Sequence, residues 1–192
     1  MARSFSEHEK EHIKENLIDV CRQSWTQYGY KKTSIDELCK RVGISKGAFY
    51  LFFESKEALF CEVLCLVQGQ IYDKASEIIE NHSNKYGIVQ ALKFIYREYE
   101  KNNFLYQSDS SDFTILMNKL SKEQGEKIQK LNTRNQQLFL DYPYLKIKVD
   151  EAMVISVIYS AIMNIKYKDV LPYNHIEVFD FMVEHLVDSL YE

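Results

Sequence analysis

The sequence predicts an all-α fold: an N-terminal three-helix head carrying a helix-turn-helix, a long helix leaving it, and a larger C-terminal helical domain. Three observations predict this. Apolar residues recur at three- and four-residue spacing along most of the chain, the period of helices that bury one face. Two prolines and six glycines in 192 residues leave few helix breaks. Two short periodic segments flank Gly43 with only about three residues between them, the connection length of a helix-turn-helix. A content of 46% hydrophobic and 27% charged residues is that of an ordinary globular chain with a sizeable core.

Residues 1–8, with Arg3, read as a short arm at a terminus where disorder concentrates. From residue 9 to 28 the stripe Ile13, Leu17, Val20, Cys21 and Trp25 predicts a helix, which Gly29 stops. Thr33 is expected to cap the next helix with its hydroxyl. That helix buries Ile35, Leu38, Cys39 and Val42 and ends at Gly43, the residue most at ease in the left-handed conformation. Ser45 caps the following short helix. Small or polar groups stand at its tip (Ser45, Lys46, Gly47, Ala48), and Phe49, Phe52 and Phe53 stand behind. A bare, donor-rich tip with an apolar rear suits an element that enters a DNA major groove.

Ser55 is expected to cap a long helix over residues 55–81, with Leu59, Val63, Val67, Ile71, Ala75 and Ile78 along it. The break at residues 81–84 precedes a helix over 86–101 that buries Ile88, Leu92, Ile95 and Tyr99. Residues 104–112 read as irregular. A helix restarts near Asp112, and another runs over about 122–142 with a weak apolar stripe at Leu131, Leu138 and Phe139. After Pro143, residues 148–167 are apolar nearly all round, so the helix there is expected to be buried on every side. Pro172 separates it from a last helix over 174–190. Each of these last two helices carries a second apolar face, which reads as half of a four-helix dimer interface formed by Val154, Ile158, Ile162, Val178, Phe181, Met182 and His185.

The net charge of −4 is unevenly placed. Residues 31–56 hold six basic and three acidic residues, a local +3, while residues 61–192 hold 14 basic and 19 acidic. Positive charge thus concentrates where phosphate would be neutralised. The four cysteines, Cys21, Cys39, Cys61 and Cys65, fall on apolar helix positions and read as reduced core thiols. Cys61 and Cys65 share a helix face, the one pairing that would suit a metal or a thiol sensor, and no nearby histidine completes a ligand set. The five histidines are scattered, and there is no phosphate-binding glycine loop or HExxH. The sequence therefore predicts neither an enzyme nor a bound cofactor or metal. No apolar run reaches the length of a membrane span, and no signal core opens the chain, so a cytoplasmic protein is expected.

The stretch TSIDELCKRVGISKGAFYLFFESKEAL, residues 33–59, resembles the DNA-binding signature of TetR/AcrR-type transcriptional regulators. The matching features are Thr33-Ser34, the turn Gly43-Ile44-Ser45-Lys46-Gly47, Tyr50, and Phe53-Glu54-Ser55-Lys56-Glu57-Ala58-Leu59. With the upstream helix and Tyr28-Gly29-Tyr30, the resemblance covers about the first sixty residues. It implies a DNA-binding domain over residues 1–54, with the motif at about 33–52, and an effector-binding and dimerisation domain over 55–192. It further implies a ligand-responsive repressor that binds a near-palindromic double-stranded operator as a homodimer and is released by a small-molecule effector.

By the resemblance, Thr33, Ser34, Ser45, Lys46, Gly47, Ala48, Tyr50 and Lys56 meet DNA. Hydroxyls and N–H groups at helix starts bind phosphate, and the lysines add charge. Gly47 and Ala48 let the helix approach base edges. An effector pocket would use the aromatic-rich middle helices, with Tyr96, Tyr99, Phe104, Phe113 and Met117 as its candidates. One position departs from the family. Phe52 stands where His or Tyr is frequent, and it cannot donate a hydrogen bond to the DNA backbone. That departure motivates an alternative of another class: an interaction protein on the same scaffold, with DNA binding reduced, acting through a protein partner.

Overall fold

The computed structural model describes residues 5–192; Arg3 of the expected arm lies outside the described residues. The fold is all-α, with no strand among the described residues. Its helices are α1 (Glu7–Lys32), α2 (Ile35–Val42), α3 (Lys46–Phe49), α4 (Lys56–Glu80), α5 (Lys85–Lys101), α6 (Ser111–Lys119), α7 (Lys122–Gln137), α8 (Glu151–Met163) and α9 (His175–Leu190). Single 3₁₀ turns follow α5 and α8, at Asn103–Leu105 and Asn164–Tyr167.

The helix starts show why the segments begin where they do. Ser6 opens α1 two residues earlier than expected, because Ser6 and Glu9 form a reciprocal capping box. Ser45 and Ser55 cap as expected, accepting from the N–H groups of Ala48 and Ala58. The cap of α2 is Ser34 rather than Thr33: the Ser34 hydroxyl accepts from Glu37 N, while Thr33 Oγ1 donates to Gly29 O at 2.8 Å. Either hydroxyl could serve chemically; the chain's break at Gly29 sets the register and turns Thr33 inward. Gly43 ends α2 with φ 77° and ψ 30°, the left-handed conformation that Gly adopts at little cost.

The chain divides into two compact units. One comprises Met1–Leu66, in its described residues, with Ser108–Ile128; the other comprises Val67–Gln107 and Gln129–Glu192. In the first, Leu17, Cys21, Trp25, Leu38, Phe49, Leu59 and Phe60 are buried. The rings of Trp25 and Tyr30 pack on Phe60 at 4.7 and 5.1 Å between centroids. The helix α6 packs against α1 inside this unit. In the second, α5 packs on α9 and α8, with Ile88, Leu92, Ile95, Val154, Ile158, Phe179 and Val183 buried. The chain end is pinned there by Lys148 N donating to Leu190 O and Glu192 N donating to Lys146 O.

The expectation that residues 148–167 are buried on every side is overturned. Val154, Ile158, Ala161, Ile162 and Ile165 take the core stripe, whereas Met153 and Tyr159, turned away from it, are 53% and 56% exposed. Ile71 of α4 is buried as expected, but near the helix end the buried isoleucine is Ile79, not Ile78. The stripe drifts round a helix this long, because 3.6 residues per turn do not divide the 3.5-residue apolar period.

Candidate nucleic-acid interface

The head presents a short α3 at its surface. Only Lys46–Phe49 is helical, and the chain then turns through residues 50–53, so Phe52 and Phe53 anchor the turn rather than the helix. Phe49 is fully buried and Phe53 nearly so, and they stack loosely on each other. Phe52 faces the ring of Phe5 at 6.3 Å. Those anchors hold the exposed residues Ser45, Lys46, Gly47 and Tyr50 outward, with Ala48 half-exposed among them. A Cβ built on Gly47 would meet only Ser45 Oγ, at 3.8 Å, so the surface in front of the helix is open. Lys46 Nζ lies 3.0 Å from Asp36 Oδ2, an exposed pair whose hydrogen bond raises the lysine's pKa and keeps it charged. Such surface pairs are weak and can exchange for a phosphate.

Two of the expected contacts are placed inward. Thr33 is 1% exposed, its hydroxyl spent on Gly29 O. Lys56 is half-buried: Nζ donates to Tyr30 O and lies 4.0 Å from the centre of the Tyr30 ring. Burial lowers its pKa against the attraction of Glu57. Both residues brace the head from within.

Lys56 belongs to a polar cluster that the sequence did not reveal. At Gly29 (φ 81°, ψ 174°) the helix path breaks. The N–H groups of Tyr30 and Lys31 then donate to the Asp112 carboxylate, at 2.5 and 3.0 Å. The Tyr30 hydroxyl donates to Glu57, and Lys119 Nζ stands 3.7 Å from Glu57 Oε1. Burial pushes the Glu57 pKa up, but the Tyr30 hydrogen bond, its backbone hydrogen bond and the two lysines outweigh it and leave the carboxyl below its usual value. The cluster joins α1, α4 and α6 within the first unit. Asp112 lies 82 residues from Tyr30, and no local pattern marks so distant a partner.

The five effector-pocket candidates do not gather within one unit. Phe113 and Met117 lie on α6 in the first. Tyr96, Tyr99 and Phe104 lie in the second, 1%, 6% and 1% exposed. Tyr96 stacks on Phe179 with ring centroids 3.9 Å apart, and its hydroxyl meets His175 Nδ1 at 3.1 Å. Nε2 of His175 lies 2.9 Å from Glu100 Oε1. The second unit also carries an open groove of about 510 Å³ lined by Ile78, His82, Tyr86, Lys93, Phe94 and Arg97, with Asp180 paired to Arg97 at its edge.

The dimer candidates divide by helix. Val154, Ile158 and Ile162 are core residues of the second unit, 0%, 6% and 4% exposed, so they present no surface. On α9, Phe181 is 67% exposed and packs on His185 at 4.6 Å, with Val178 and Met182 half-exposed. The exposed residues of α8 are Glu151, Ala152, Met153, Ser156, Tyr159 and Ser160. On α8 the exposed face lies about one residue, 100° on a helix, from Val154, Ile158 and Ile162.

Residues 17–63 match the family described as "Bacterial regulatory proteins, tetR family". The chain is 32% identical over 92 residues to the uncharacterized HTH-type transcriptional regulator YhgD of Bacillus subtilis, covering 48% of each chain. It is 26% identical over 151 residues to IcaR of Staphylococcus epidermidis, the negative transcriptional regulator of the biofilm operon icaADBC, covering 76% of this chain and 78% of that one. The chain spans about half the length of YhgD and less of two further Bacillus subtilis regulators that it matches. The fold is similar to that of the transcriptional regulator FadR from Bacillus subtilis, solved in complex with stearoyl-CoA: the TM-score is 0.70 at 16% identity, over 91% of this chain and 98% of that one. The caps of α2, α3 and α4, the Gly43 turn and the exposed tip of α3 all fall inside the residues that match the family, and this head is similar to that of the tetR-family regulators.

Proposed function

We propose that the chain is a repressor that binds a near-palindromic DNA operator as a homodimer and is released by a small-molecule effector. The observation that carries this reading is the exposed tip of α3, held outward by buried Phe49 and Phe53 within the segment that matches the family. Ser34, Ser45, Lys46, Gly47, Ala48 and Tyr50 are assigned to DNA; Thr33 and Lys56 keep those groups in place from behind. IcaR, a negative regulator, supports repression, and the stearoyl-CoA bound to FadR supports an effector in a fold of this kind.

In this reading residues 1–54 form the DNA-binding domain and residues 55–192 the effector and dimerisation domain, with α6 supporting the head through Asp112. The effector acts by shifting Asp112, and with it the turn at Tyr30 and the start of α4. Successive major grooves lie about 34 Å apart, so a few ångströms of altered spacing loses the second head's contact. The effector can drive that shift only by its difference in affinity between the two states.

Gel-shift titration against genomic fragments over a salt series tests the function. The expected result is a saturable, sequence-specific complex that weakens steeply with salt, by about one order per order of salt for each phosphate neutralised. Lys46→Ala is expected to weaken all sequences alike and to reduce that slope by about one. Absence of any complex at low salt would favour the interaction protein instead. Dimerisation is assigned to Phe181, His185, Met153 and Tyr159. Phe181→Asp together with Tyr159→Asp is expected to convert the dimer to monomer in analytical ultracentrifugation while leaving the helical circular dichroism unchanged. A persistent dimer would move the interface elsewhere.

A further inference from the structure

We propose that Cys61 and Cys65 form a two-coordinate site for a soft, thiophilic monovalent metal ion such as Cu(I). Both are free thiols on successive turns of α4 within the first unit, 3% and 9% exposed. They lie beside a surface ion pair, Glu62 with Lys127, whose N···O distance is 2.6 Å. From α7, Gln124 O meets Cys61 Sγ at 3.9 Å. The two thiols face each other closely enough to share a hydrogen bond.

The geometry separates this ligand from the other uses of a cysteine pair. Residues four apart on a helix hold their Cβ atoms about 5–6 Å apart. A disulfide needs about 3.5–4.5 Å, so closing one would unwind a turn of α4. A linear sulfur–metal–sulfur unit spans about twice a metal–sulfur bond of about 2.3 Å, or about 4.6 Å, and fits the intact helix. A tetrahedral zinc site is not available, since no group of three or more His, Cys, Asp or Glu side chains is placed to hold a metal among the described residues. Soft thiolate ligands suit Cu(I), zinc and iron–sulfur clusters, and with the four-ligand sites of the last two excluded Cu(I) is the one left. Binding converts two thiols and one monovalent cation into a bis-thiolate complex of charge −1 and releases two protons. Lys127, which also pairs with Glu62, offsets part of that charge.

The test uses the reduced 192-residue chain under anaerobic conditions, without DNA, titrated with Cu(I) buffered by a colorimetric chelator. One Cu(I) per chain is expected to leave the chelator, with thiolate-to-copper charge-transfer absorption. Cys61→Ala/Cys65→Ala is expected to lose that uptake, and Cys21→Ala/Cys39→Ala to keep it. Lys127→Glu, a surface change that leaves both sulfurs in place, is expected to weaken uptake about tenfold or more, as changes beside metal ligands do. Uptake by the wild-type chain that the Cys61/Cys65 double variant retains would overturn the proposal, as would no uptake at all or a Lys127→Glu chain that binds as tightly as the wild type.

Discussion

Replacing Gly29 with Ala is expected to lower stability by about 3 kcal/mol. Two effects add. At φ 81° and ψ 174° the backbone lies in a region open essentially to glycine alone, so any L side chain there is strained by about 1–3 kcal/mol. A Cβ at this site would also stand 2.7 Å from Asp112 Oδ2, closer than van der Waals contact allows. The carboxylate must then move off the Tyr30 and Lys31 N–H groups that it accepts from. Losing hydrogen bonds to a charged acceptor costs about 1.5–3 kcal/mol. In a chain of this size the loss corresponds to a fall in melting temperature of about 6–12 °C.

Gly43→Ala supplies the internal control. It too sits at positive φ, 77°, but a Cβ there meets nothing within 4 Å, so it bears only the backbone cost of about 1–2 kcal/mol. Thermal melts of the two variants should therefore differ by several degrees, and Asp112→Ala should narrow the gap by removing the clash. Equal melting temperatures for Gly29→Ala and Gly43→Ala would remove Asp112 from its assigned place at the turn.

The contrast between Gly29 and Gly43 also marks how far the sequence could be read. What depends on a few neighbouring residues was legible: Gly43 as a helix stop, Ser45 and Ser55 as caps, and the extent of α4 to within a residue. What depends on phase was less so. The apolar sequence of α8 allowed either side to be core, and only packing against α5 and α9 selects Val154 and Ile158 over Met153 and Tyr159. Thr33 and Ser34 offered two equivalent hydroxyls, and the turn at Gly29 decided between them. What depends on a distant partner was not legible at all. Asp112 looked like an ordinary acidic residue at a helix start, where it also favours the helix dipole, and its bonds to Tyr30 and Lys31 arise only because α6 returns to the head. For the same reason Lys56, a basic residue in a basic stretch, read as a surface charge although its ammonium is turned onto Tyr30.

Ala48→Glu is expected to abolish specific DNA binding, by at least about a hundredfold, while leaving the fold intact. The side chain is half-exposed, and Ala48 contributes to the structure chiefly through its N–H, which donates to Ser45 Oγ at 3.1 Å and is unchanged by the substitution. Stability should therefore change by no more than the roughly 0.5 kcal/mol typical of surface positions. At a DNA surface the same change acts twice. It fills the gap through which a small residue lets α3 approach the base edges, and it sets a carboxylate against phosphates, where like charge costs several kcal/mol. A factor of one hundred corresponds to about 2.7 kcal/mol, within reach of either effect alone. Ala48→Thr, which adds a hydroxyl and a methyl without charge, should instead keep binding and change which sequences are preferred, since both groups can read base edges. The pair of variants separates position from mere proximity. If Ala48→Glu binds like the wild-type chain with an unchanged melting temperature, α3 does not face the DNA. If Ala48→Glu fails and Ala48→Thr leaves the sequence preference unaltered, Ala48 lies beside phosphate rather than over the bases.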